Sequence, residues 1–171
     1  MISLDTPPAE VILDRMEESD LEEILQMETS VDLSPWSRPS FLEEMKLPFS
    51  HCYVLRKGEP PAVQTIGYLC FRTVGDESDL LKMGIHPKER RKGYGRQLMR
   101  FYTGFCQSEG IRTFHLETGS SNEAAIGLYR SFSYYPVGVR PRFYRGREDA
   151  LLMTKKASPF QEGKEGFKPH P

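Results

Sequence analysis

The segment Arg90-Arg91-Lys92-Gly93-Tyr94-Gly95-Arg96 sets two glycines among four cations. Apolar residues then recur at Tyr94, Leu98, Phe101 and Phe105, the spacing of one helical face, so the basic run sits at the start of a helix. A helix start exposes unpaired N–H groups and the positive end of the macrodipole, and glycine lets a ligand come close to the main chain. Such a site suits a diphosphate; read alone, it is equally a solvated basic cluster. Spacing removes two nucleotide-binding alternatives. Leu98 stands where a dinucleotide fingerprint needs its third glycine, and the chain has no Walker-type phosphate loop.

A second constellation lies downstream. Leu116-Glu117-Thr118 ends a strand in which Thr113, His115 and Glu117 share one side and Phe114 and Leu116 the other, so a carboxylate can face a cleft. Asn122 and Tyr129 follow on a helix, seven residues and thus two turns apart on one face. A carboxylate that takes a proton and a phenol that gives one make an acid–base pair. Each also has a plainer reading, as a solvated strand-terminal Glu and a core aromatic. His115-Leu116-Glu117 imitates the H-x-E of zinc deaminases, but those need a later P-C-x-x-C and every cysteine here lies upstream. Metal chemistry is set aside on that ground. The chain has no G-x-S-x-G elbow, and no cysteine has a histidine partner legible in the sequence.

These residues need elements to hold them. The chain has 171 residues, 38% of them hydrophobic, and its 14 glycines raise the apolar share to about 46%, ordinary for a globular domain. The length predicts one domain over residues 1–156, able to bury a core without disulfides. A loosely ordered tail is expected over 157–171, where three prolines and two glycines fall. Cys52, Cys70 and Cys106 read as core thiols of a reducing compartment. With no apolar run near the 20 residues of a membrane span and no secretory signal, a cytoplasmic location is expected. Predicted strands cover 10–15, 52–56, 64–74, 80–85, 113–118, 134–140 and 150–155. The second and third flank the turn-rich Lys57-Gly58-Glu59-Pro60-Pro61 and should form a hairpin. Helices are predicted after a Ser19–Glu22 capping box, over 40–46 behind Pro39, from Tyr94 to a C-terminal Gly110, and after a Ser120–Glu123 capping box.

Net charge is 23 minus 24, or -1, which gives no reason to expect nucleic-acid or membrane binding. The average hides an asymmetry: residues 1–45 hold twelve acidic side chains against Arg15 and Arg38, a net of -10 that leaves +9 for the rest.

Taken together, Arg90-x-x-Gly93-x-Gly95 after a strand, Asn122 and Ala125-Ile126-Gly127-Leu128-Tyr129 resemble the GNAT superfamily of N-acetyltransferases, over about residues 9–156. Within it, Ser34-Pro35-Trp36-Ser37 with Phe41, Leu116-Glu117, Ser121 to Ile126 and Gly146 to Ala150 are similar to the bacterial ribosomal-protein-alanine N-acetyltransferases. Three departures stand out. Lys82 replaces a frequent small polar residue of the fourth strand, Ser133 stands where a glycine usually precedes an aromatic, and the loop from Arg140 to Gly146 looks short.

The resemblance implies an α/β fold with a mixed, mostly antiparallel sheet of six to seven strands, splayed between strands 4 and 5 and flanked by about four helices. It implies acetyl-CoA as co-substrate and no metal. The backbone of Met83, Gly84 and Ile85 would pair with the pantetheine and acetyl group, Arg90, Arg91, Lys92, Gly93, Tyr94, Gly95 and Arg96 would hold the pyrophosphate, and Asn122 would bond the pantetheine. Glu117 is the implied base and Tyr129 the implied acid. Trp36 and Tyr144 are candidates for the acceptor groove, each also readable as a packing aromatic. Three functions stay open: acetylation of a protein N-terminus, acetylation of a small amine or a lysine, and a non-catalytic acyl-CoA-binding module. In the family the acceptor approaches between the first two helices and the late-strand loop, so the acidic surface of those helices would attract a basic protein or peptide N-terminus.

Overall fold

A computed structural model gives the structure of the protein over residues 11–31 and 34–157. Seven strands form one sheet: β1 (Val11–Arg15), β2 (Ser50–Lys57), β3 (Gln64–Val74), β4 (Glu77–Ile85), β5 (Thr113–Gly119), β6 (Tyr135–Tyr144) and β7 (Glu148–Lys156). Their spatial order is β1-β2-β3-β4-β5-β7-β6, antiparallel at every pairing except β4 with β5. Four α-helices accompany them: α1 (Leu21–Val31), α2 (Arg38–Lys46), α3 (Tyr94–Ser108) and α4 (Glu123–Ser131). This is the mixed sheet, with its four helices, that the family resemblance implies.

The middle of the sheet is buried on both faces, which is why β2 and β3 read as nearly continuous apolar runs. Tyr53, Leu55, Leu69 and Phe71 pack with α3 and α4, while Cys52, Val54, Tyr68 and Cys70 pack with α1 and α2. All three thiols are buried, as expected. The parallel pair is short: Glu77–Leu80 run beside Thr113–Leu116, and beyond those residues β4 and β5 part. From there β5 keeps its bonds to β7 as far as Gly119. The splay expected between the fourth and fifth strands is therefore a gap with one main-chain edge of each strand facing it.

Local details differ from the sequence reading for tertiary reasons. The reciprocal cap lies not at Ser19 and Glu22 but at Glu17 and Asp20, around a short 3-10 turn over Glu18–Asp20 that precedes α1. Asp20 is fixed there by Arg56 of β2, 2.7 Å away. Similarly, α4 is capped by Asn122, whose Oδ1 accepts the Ala125 N–H at 3.2 Å, rather than by a Ser120–Glu123 box. On α3 the fully buried stripe is Leu98, Met99, Tyr102 and Cys106; Phe101 and Phe105 sit at its margin against Tyr53 and Phe71. The stretch from Arg140 to Tyr144 is strand, not loop. It pairs with β7 across a register shift where Arg142 has φ +52° and its N–H is held by Asp149 at 2.7 Å. Pro136 and Pro141 are tolerated because β6 is an edge. Ser133 occupies the left-handed residue after α4, with φ +69° and the Tyr134 N–H returning to the Tyr129 carbonyl, which explains the glycine usual at that place.

Several acids of the first part are paired within the fold. Asp20 pairs with Arg56, Glu44 with Arg72, Glu28 with Lys82 and Glu18 with Arg38, and Glu23 accepts the Thr65 N–H. Glu22 and Glu43 remain on exposed helix faces. Among the described residues no helix is long and apolar enough to cross a membrane. Glu10, the first residue of the first predicted strand, and the tail from residue 158 lie outside the described residues.

Candidate active site

The β4–β5 gap opens into a cavity of about 710 Å³. One wall is Leu81, Lys82 and Met83 of β4; the opposite wall is Glu117, Thr118 and Gly119 of β5. Asn122 and Tyr129 reach it from α4, Trp36 from the segment before α2, and Tyr144 from the end of β6. Six residues singled out in the sequence thus meet around one space: Met83, Glu117, Asn122, Tyr129, Trp36 and Tyr144. Gly84, Ile85 and Arg90–Arg96 are not on its lining.

Those remaining residues follow Met83 to the end of β4 and into the start of α3. The His86 N–H donates to the Ile66 carbonyl at 2.8 Å, and antiparallel alternation then turns the main-chain groups of Gly84 toward Tyr68 and those of Met83 and Ile85 toward the gap. Gly84 is glycine for packing, since a Cβ there would run into the Tyr68 ring. The Ile85 carbonyl accepts Arg90 Nε at 3.2 Å, which draws the loop over the end of β4. Arg91 and Gly93 take positive φ, +63° and +87°, and α3 begins with no side-chain cap. The first amides of α3 therefore have no intrahelical acceptor. Lys92 pairs with Glu89 at 3.1 Å and Arg96 lies over the Phe132 ring; both are exposed, as is Arg91. The start of α3 also abuts α4, because a Cβ on Gly95 would stand 3.3 Å from Leu128.

Glu117 is about one-third exposed, and its Oε1 lies 3.1 Å from the Arg140 guanidinium of β6. Tyr129 is buried, its ring centroid 6.0 Å from that of Tyr134. Asn122 spends its oxygen on the cap of α4, so what it offers a ligand is its amide N–H. Trp36 packs edge-on to Phe41, and Tyr144 edge-on to Phe143.

Sequence reasoning missed Glu28, Tyr68 and Arg140, and it noticed Lys82 without giving it a role. Glu28 had a signal: it falls on the apolar stripe Leu21, Ile24, Glu28, where a carboxylate has to find partners. Arg140 had none, because its approach to Glu117 depends on β7 lying between β5 and β6.

Residues 19–134 match the family model described as Acetyltransferase (GNAT) family. A Bacillus subtilis (strain 168) protein provisionally named ribosomal protein bS18-alanine N-acetyltransferase is 32% identical over 136 residues, 78% of this chain and 87% of that protein. The ribosomal protein bS18-alanine N-acetyltransferase of Escherichia coli (strain K12) is 28% identical over 142 residues, 81% of this chain and 93% of its own. The crystal structure of the ribosomal-protein-S18-alanine N-acetyltransferase from Escherichia coli superposes with a TM-score of 0.77 at 26% identity, covering 91% of this chain and 99% of that one.

Proposed function

The chain belongs to the GNAT family of acetyltransferases, and from that premise we propose that it moves the acetyl group of acetyl-CoA to the N-terminal α-amine of a basic protein, a ribosomal protein being the first candidate. The observation that carries the chemistry is the meeting of Glu117, Tyr129, Asn122 and Met83 on one cavity within the β4–β5 gap. The acceptor class is supported by relatives named for acetylating the alanine of a ribosomal protein, matched over most of their length.

Acetyl-CoA brings an acyl group already activated as a thioester. The outward main-chain groups of Met83 and Ile85 suit its pantetheine amides, and the Asn122 amide N–H suits a pantetheine carbonyl. The uncapped amides at the start of α3, with Arg91 beside them, suit its pyrophosphate. Glu117 takes the proton of the attacking amine, directly or through water, while Arg140 holds one of its oxygens and orients the carboxylate. An α-amine has a pKa near 8 against roughly 10.4 for lysine, so a carboxylate frees it more readily. Tyr129 gives a proton to the departing sulfur.

Mass spectrometry of peptides and free amines incubated with protein and acetyl-CoA tests the reading. Acetyl on the α-amine of a basic peptide beginning with Ala is expected. Label on lysine or on free amines alone replaces the acceptor class; no transfer to any amine turns the protein into an acyl-CoA-binding module.

A further inference from the structure

Glu28 exposes no surface, yet it is an acid. It accepts from the Tyr68 hydroxyl, from the Trp36 main-chain N–H at 2.6 Å and from the Lys82 ammonium at 3.3 Å. Lys82, 9% exposed, also donates to the Ser34 carbonyl at 2.7 Å and lies 5.6 Å from the centroid of the Trp36 ring. The same indole meets Phe41 edge-on at 5.1 Å. One buried ion cluster therefore ties α1, β3 and β4 to the segment Ser34–Trp36. Ser34, Trp36, Tyr68 and Lys82 are in turn part of the cavity wall that includes Glu117 and Tyr129.

Burying two charges is costly, and such a pair is a weak source of net stability; its better-attested use is to fix one arrangement among several. What this pair fixes is an indole at the edge of the reaction space. We propose that Glu28 and Lys82 are positioning residues that set the size limit for the acceptor: they hold Trp36 against the space that the first side chain of an incoming protein N-terminus occupies. The inference rests on the N-terminal-amine reading above. A small first residue fits beside the held indole. A large one has to displace it, breaking the contact with Lys82 and the Trp36 N–H bond to Glu28. Acetyl-CoA, held from the α3 end of the gap, does not depend on this wall.

The test is steady-state kinetics on peptides that differ only in their first residue, Ala, Met or Leu. Lys82→Met combined with Glu28→Gln removes both charges together and leaves an amide oxygen for Tyr68 and Trp36, so no lone buried charge remains. The KM for the Ala peptide should rise about tenfold, as misplacement of a binding wall allows. The KM for acetyl-CoA should stay within about twofold, as for an independent site. The preference for Ala over Leu should fall about tenfold, within the range one pocket contact supplies. Lys82→Arg, which keeps the charge, should retain most of the preference. Trp36→Phe leaves both charges in place and should lose the preference too, so it decides the matter if the double variant fails to fold. The clamp is overturned if both KM values rise together in the double variant, or if Trp36→Phe keeps the wild-type preference. If the wild type acetylates a free amine or a lysine instead, the acceptor reading fails separately. The clamp is then judged on that amine's KM, where a selective rise supports it and no rise overturns it.

Discussion

The two ends of the β4–β5 gap are held by different physics. At the α3 end, proposed to hold the pyrophosphate, the groups on offer are main-chain amides of consecutive residues, presented by a helix start with glycines at 93 and 95 and surrounded by solvated cations. At the proposed acceptor end the wall is a buried ion cluster whose members are 40 and 54 positions apart in the chain. The first is a local device, built from the turn after β4 and the first turn of α3. The second exists only when α1, β3, β4 and the segment before α2 are all in place. Damage at the α3 end should therefore appear as lost acetyl-CoA affinity alone, whereas damage at the acceptor end should mix stability with acceptor recognition.

The largest effect is expected between the two ends. Tyr129→Phe and Glu117→Gln should each fold and bind acetyl-CoA normally yet lose about 10²-fold in kcat, the usual loss on removing a proton-transfer group. Near-normal turnover in Tyr129→Phe returns that ring to a packing role beside Tyr134.

Next comes the fastening of α2. Glu44 accepts from Arg72 at 2.5 and 2.7 Å and from Ser50 at 2.5 Å. Burial pushes its carboxyl up, but the hydrogen bonds from Arg72 and Ser50 and the Arg72 charge outweigh it, so its pKa lies below the ordinary carboxylate value. A carboxylate whose folded pKa is lowered adds stability that is complete above the unfolded pKa, about 4.3, and is lost as pH falls through the folded one. Arg72→Met should cost about 2 kcal/mol at neutral pH, less than a fully buried pair because Arg72 is partly solvated. It should also flatten the acid limb of unfolding, because the variant lacks the stability that wild type loses as Glu44 is protonated, so the two converge at low pH. Urea titrations across pH 3–7 read both, and an unchanged acid limb would show that Glu44 does not depend on Arg72.

At the α3 end, Gly95→Asp should weaken acetyl-CoA binding about tenfold by setting a negative charge against the helix start. Gly95→Ala is the steric control, since its Cβ only presses on Leu128. Calorimetry giving equal affinities for the two variants would sink the diphosphate assignment.

The smallest effect is electrostatic steering by the acidic helices. Because Asp20, Glu28 and Glu44 are consumed by internal pairs, fewer acids among the described residues, exposed Glu22 and Glu43 included, are left to attract a basic acceptor. Glu22→Lys with Glu43→Lys should lower kcat/KM for a basic peptide by no more than about threefold at physiological salt, where exposed charges are screened beyond roughly 8 Å. A drop of tenfold or more would mean that the acidic surface recognises the acceptor directly.

What the sequence determined by itself is what depends on neighbours in the chain. The basic, glycine-bearing start of α3, the strand end at Glu117 and the two-turn spacing from Asn122 to Tyr129 are set by helical and strand periodicity. Alternation of apolar residues likewise made the central strands legible. The tertiary structure decided which distant side chains meet. It moved the cap of α1 to Asp20 because Arg56 of β2 holds that carboxylate, extended β6 to Tyr144 because β7 pairs with it, and put Arg140 on Glu117. It also gave Glu28, a charge on an apolar helical stripe, its counter-ion Lys82 on β4. The physical reason is that a buried charge has to be paired, and sheet order, not sequence spacing, determines which partners come within reach.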